Sequence, residues 1–201
     1  MKTILSFLLV LIATTTSAAN PKILVWGDSL SAGYGIDQSA AWPSLLAKRL
    51  SKEGYRYEVV NASISGETTA GGLSRLPAAL DRHKPTIIII ELGANDGLRG
   101  QPLALMRDNL AAMIRAAQAS RANVLLLGMR LPPNFGPAYT QKFQATFSEL
   151  ATQHKVGLVP FFLEQIAARR ELFQADTIHP TAEAQDLILQ TIWPGLKPML
   201  K

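Results

Sequence analysis

The stretch PTIIIIEL, residues 85 to 92, limits what this chain can fold into more than any other. Neighbouring side chains on a strand point to opposite faces, so four consecutive isoleucines describe a strand buried on both sides. A sheet buried on both sides needs helices above and below it, which selects a three-layer α/β arrangement. NVLLLGMRL, from Asn123, repeats the signal. KILVW from Lys22, YRYEVVNAS from Tyr55 and VGLVPFF from Val156 supply three further strand candidates. Between them lie segments with helical spacing: AWPSLLAKRLSKEG, TTAGGLSRLPAALDRH, PLALMRDNLAAMIRAAQAS, AYTQKFQATFSELATQH and AEAQDLILQTIW. Pro77 is expected to interrupt or bend the second of these, and Pro194 to follow the end of the last. Five strands alternating with helices predict a mainly parallel five-stranded sheet, whose ligands bind at the carboxyl ends of the strands.

The first residues stand apart from this pattern. MKTILSFLLVLIATTTSAAN has a positive start at Lys2, an apolar core short for a bilayer, and small residues at Ser17 and Ala19. It reads as a secretory signal over residues 1–19, leaving residues 20–201 as one domain of an exported, periplasmic or released protein with no stable membrane anchor. The chain has no cysteine, so the exported form is held by packing and has no thiol nucleophile. Its net charge of +5 is spread in ones and twos without aromatic platforms, which argues against nucleic acid as a partner. Nothing in the pattern calls for an oligomer, and a monomer is expected.

Chemistry is to be sought directly after the strands. WGDSLSAG places Ser29 after the first, SISGETT places Gly66 after the second, and LGAND places Asn95 and Asp96 after the isoleucine strand. A fourth stretch, DTIHP, puts Asp176 three residues before His179. Each has a plain structural alternative: Gly-Asp-Ser and Gly-x-Asn-Asp are ordinary turn compositions, and Asp-x-x-His-Pro is an ordinary helix start. Together, and in this order, they supply every role of acyl transfer. On one side of a helical turn Asp176 can hold one ring nitrogen of His179, leaving the other free to take a proton from Ser29. The N–H groups of Ser29 and Gly66 and the amide of Asn95 form a donor set for the developing oxyanion. Asp28, Asp96, Asp176 and His179 could gather round a metal, but no His pair has ligand spacing, so neither metal nor cofactor is expected. His83 and His154 read as solvent-exposed or helix-end cations.

The four blocks GDSLS, SGETT, GAND and DTIHP resemble those of the SGNH (GDSL-type) serine hydrolase family and span nearly the whole mature chain. The longer stretches ILVWGDSLSAGYGI, NASISGETTAGG, LGANDGLRG and DTIHPTAEAQ resemble its bacterial periplasmic multifunctional members, which act as thioesterase, arylesterase, protease and lysophospholipase. The resemblance implies a flavodoxin-like α/β/α fold, a triad of Ser29, His179 and Asp176, and an oxyanion hole from Ser29, Gly66 and Asn95. It also implies fatty acyl thioesters, aryl esters or lysophospholipids as substrates, with acetylated carbohydrate or cell-wall esters as the alternative. Apolar residues in GLRGQPLALM and MRLPPNFGPAY are candidates for an acyl groove, and Gly93, Gly97 and Gly100 would let the loop there adapt. Thr177 departs from the family, which often has glycine at that place.

Overall fold

The structure, a computed structural model, describes residues 20–201; the expected export signal lies outside the described residues. Five strands form one sheet: β1 (Lys22–Gly27), β2 (Glu58–Asn61), β3 (Ile87–Glu91), β4 (Asn123–Leu127) and β5 (Gly157–Val159). The order is β2-β1-β3-β4-β5, and all four pairings are parallel. In register, Ile23 to Trp26 of β1 lie beside Ile87 to Ile90 of β3.

The isoleucine run divides as its period requires. Ile87 and Ile89 enter one core with Ile23, Val25 and Leu125. That core is closed by helices α2 (Trp42–Lys52) and α7 (Gln185–Leu196), through Trp42, Leu46, Ile188 and Ile192. Ile88 and Ile90 enter the other with Leu24, Trp26 and Leu126. There the cover is α3 (Thr69–His83), α5 (Leu103–Ala119) and α6 (Pro137–His154), through Leu76, Leu110, Ile114 and Phe147. Two short helices, α1 (Ser29–Ala32) and α4 (Ala94–Leu98), follow β1 and β3 directly. The chain therefore changes direction between β1 and β3, the switch point at which such sheets open a crevice.

Neither proline ends its helix. α3 continues through Pro77 to His83, and α7 continues through Pro194 to Leu196. Pro77 is on the exposed side, where the carbonyl that loses its partner can meet water. Buried Leu76 and Leu80 hold the helix on both sides of it, and Trp193 and Leu196 do the same around Pro194.

Candidate active site

β1 ends at Gly27 against the end of β3. A Cβ there would lie 2.6 Å from Glu91 Oε2 and 2.8 Å from Ser31 Oγ, so only glycine fits. The chain then turns straight into α1, and Asp28 Oδ1 accepts the N–H of Leu30 at 3.0 Å as its cap. Ser29 is thereby raised as the first helical residue at a strand's carboxyl end.

Ser29 Oγ is 2.9 Å from His179 Nε2, and His179 Nδ1 is 2.7 Å from Asp176 Oδ2. Asp176 Oδ1 accepts two more bonds, from the backbone N–H groups of His179 at 3.0 Å and Ile178 at 2.9 Å. The His179 backbone bond, the His179 ring and the Ile178 bond together hold this carboxyl down at about 2. An ionised carboxylate only accepts, so the ring proton sits on Nδ1 and Nε2 is left to accept the Ser29 hydroxyl.

The loop that achieves this is not the helical turn expected from the spacing. Asp176 folds back over its own loop in a turn made by its side chain, and Thr177 takes the left-handed region at φ 64°. That conformation favours glycine, and here a threonine holds it. Gln174 ties the loop down: its Nε2 donates to the carbonyls of Tyr34 and Pro180, and its N–H donates to the His179 carbonyl. The Tyr34 ring then rests on the imidazole, with centroids 4.4 Å apart.

Two further loops reach the same rim. Gly66 is left-handed at φ 78°, and Arg99 Nη2 donates to its carbonyl at 3.0 Å. Among the described residues, the N–H groups of Ser29 and Gly66 make no hydrogen bond. Asn95, in α4, directs its amide nitrogen at Asp28 Oδ2, 3.1 Å away, and at the Glu67 carbonyl, 3.0 Å away. The expected residues are thus all at one end of the sheet, Ser29 and Asn95 in the short helices α1 and α4 and Gly66, Asp176 and His179 on loops.

The model of the GDSL-like Lipase/Acylhydrolase family matches residues 25–187, an interval that contains all five. The chain belongs to this family. It is 52% identical to esterase TesA of Pseudomonas aeruginosa over 197 residues, with 98% of each chain covered. It is 41% identical to the thioesterase 1/protease 1/lysophospholipase L1 of Escherichia coli strain K12 over 196 residues, covering 98% of this chain and 93% of that one. A crystal structure of TesA superposes with a TM-score of 0.87 at 54% identity, covering 89% of this chain and 99% of the other.

In this GDSL-like hydrolase a groove of about 470 Å³ opens beside the His179 loop. Ala94 and Leu98 of α4, Leu131, Phe161, Phe173 and Ile178 are among its walls. The expected lining from MRLPPNFGPAY is present in Met129 to Pro133; Phe161 belongs to VGLVPFF, expected as a strand although β5 ends at Val159, and Leu163, Ala167 and Phe173 come from chain for which the sequence suggests no role. Gly97 is not there for mobility: a Cβ on it would lie 2.7 Å from Phe143 and 2.9 Å from Leu131, so close packing requires it.

Asp96 is turned inward. It accepts from the Thr69 N–H and hydroxyl, fixing the start of α3. His154 ends α6, as one of its two expected readings has it, with its Nε2 enclosed and without a hydrogen-bond partner among the described residues. Among the described residues no group of three His, Cys, Asp or Glu could hold a metal ion, and no helix is long and apolar enough to cross a membrane.

Behind Ser29 lies a feature absent from the motif reading. Glu91, the acid that ends the isoleucine strand, is buried with Asp28, and its Oε2 accepts from Ser31 Oγ at 2.7 Å and from the Asp28 N–H at 3.3 Å. Burial, then repulsion from Asp28, pushes the Glu91 carboxyl well above its ordinary range. Burial also raises Asp28, to about 6. Acids with raised values bind protons more tightly folded than unfolded, so their contribution is favourable at low pH and lost as pH rises through the folded values. The protein is therefore expected to lose stability as pH rises from about 4 through about 6 on account of Asp28, and further as pH rises through the raised value of Glu91. Glu91→Gln removes the larger shift and should flatten this slope, as read by denaturant unfolding at pH 5 and pH 8; an unaltered slope would place the proton elsewhere.

Proposed function

We propose that this chain is a serine esterase and thioesterase that releases acyl groups from esters and thioesters of long-chain acids. The observation that carries this reading is the unbroken hydrogen-bond line Ser29–His179–Asp176 at the edge of an apolar groove. The names of the relatives, esterase and thioesterase/lysophospholipase, point the same way. His179 Nε2 takes the Ser29 proton as Oγ attacks the acyl carbon, and the carbonyl electrons move onto oxygen. The N–H groups of Ser29 and Gly66 and the Asn95 amide receive that oxyanion. On collapse, the alcohol or thiol leaves with the proton from Nε2, and water, deprotonated by the same nitrogen, then frees the acid. We further propose that residues 1–19 are removed on export and that the enzyme works as a single chain in the periplasm.

The test is a series of esters with one leaving group and acyl chains from acetyl to palmitoyl. Each methylene entering the groove is worth about 0.8 kcal/mol, or about four-fold in kcat/KM, until the groove is filled. A rise of this kind supports the acyl reading. Activity confined to acetyl would transfer the enzyme to the carbohydrate or cell-wall ester alternative.

A further inference from the structure

The amide of Asn95 has two hydrogens, and both are already engaged, one by Asp28 Oδ2 and one by the Glu67 carbonyl. An oxyanion can therefore be received only if one of these bonds gives way or is shared. A bond to a charged carboxylate is about twice as strong as one to a neutral carbonyl, so the Glu67 bond is the one that yields.

Resting on the oxyanion role proposed for Asn95, we propose that Asp28 is the positioning residue of the oxyanion hole: its carboxylate grips one Asn95 hydrogen and aims the other at the reacting oxygen. The same side chain caps α1 at Leu30, so one carboxylate sets both the serine and the donor facing it. The role requires Asp28 to be charged while fully buried, and no ion pair reaches it or Glu91 among the described residues. Glu91 supplies the means. Of the two acids it holds its proton at the higher pH, leaving Asp28 as the anion at neutrality. Besides Glu91 from β3, the titratable group that faces Asp28 is His179, from the loop before α7; α1 and α4 present the Leu30 N–H and the Asn95 amide.

Asparagine at position 28 offers one acceptor oxygen where the site asks for two. It can keep the Leu30 cap or the Asn95 bond, and at the other point two donors then oppose each other. Kinetics on a short soluble ester should give a kcat loss of about 10²- to 10³-fold for Asn95→Ala, the usual effect of removing one oxyanion donor. Asp28→Asn should lose a comparable factor in kcat with KM nearly unchanged, and the double variant should be no slower than Asn95→Ala. Multiplying losses, or an Asp28→Asn loss expressed in KM, would overturn the positioning role while leaving the oxyanion hole standing. A harmless Asn95→Ala would instead overturn the oxyanion reading itself, and this inference with it. Should Asp28→Asn fail to fold, the unsubstituted protein still decides. The side-chain amide protons of Asn95, followed by NMR, should move with the Asp28 carboxyl carbon near pH 6. Amide protons that ignore that titration would overturn the proposal.

Discussion

Ser29→Ala is expected to lower kcat on a soluble aryl ester by about 10⁶-fold, and adding His179→Ala to lower it no further. The two side chains act as one unit across the 2.9 Å contact, so removing either removes the transfer of the proton. A residual rate of about 10³- to 10⁴-fold over water should persist, since the oxyanion donors and the groove remain. Stability should change little: among the described residues the Ser29 hydroxyl bonds only to His179, and that ring keeps Asp176 and Tyr34 as neighbours. The check is kcat measured for both single variants and the double, with a thermal melt of each. A loss under about ten-fold for Ser29→Ala would place the nucleophile elsewhere, and separate multiplicative losses would mean that the two residues do different work.

How far such a site can be read from sequence depends on whether its residues sit where a repeating pattern puts them. The isoleucine run announced a two-faced strand, and the alternation of its side chains between the two cores is what the pleat dictates. Ser29, Gly66 and Asn95 each follow a strand, and they share one rim because parallel strands end together. The Asp176–His179 pairing was legible as a spacing but not as a conformation. A left-handed threonine carries no composition signal, and the pair is made by a side chain folding onto its own backbone. The continuity of α3 and α7 through proline was hidden for a different reason. Tertiary packing on either side of Pro77 and Pro194 outweighs the one backbone bond each removes, and no local rule contains that balance. Glu91 was visible all along as a single acid closing an apolar run. Its partner Asp28 is 63 residues away, joined only by the register of β1 and β3. The far wall of the groove, Phe161 to Phe173, lies after β5: the strand expected over VGLVPFF stops at Val159, and beyond Phe162 periodicity is silent.

The charge of Asp176, rather than its shape, should account for most of its effect, and Asp176→Asn separates the two. Asparagine can keep the oxygen that accepts the Ile178 and His179 N–H groups, so the loop and its left-handed Thr177 are expected to stay in place. Its amide nitrogen then faces His179 Nδ1 and donates to it. The ring proton moves to Nε2, where it blocks the acceptor that Ser29 needs, and an imidazolium formed in the reaction meets a neutral partner. A loss of about 10⁴-fold in kcat is expected, the size associated with a wrongly held tautomer in a Ser-His-Asp triad, with KM little changed. The pH dependence gives a second handle. With its carboxyl at about 2, Asp176 stays charged through all mildly acidic conditions, so a fall in wild-type activity between pH 7 and pH 5 does not report its protonation. Asp28, at about 6, is the carboxylate that does titrate in that interval. The side chain of Asp176 is 37% exposed, which leaves water able to replace part of what the substitution removes. A loss of under about ten-fold in Asp176→Asn would mean that water does so almost completely, and that the residue matters for its two backbone hydrogen bonds and not for the proton it fixes on Nδ1.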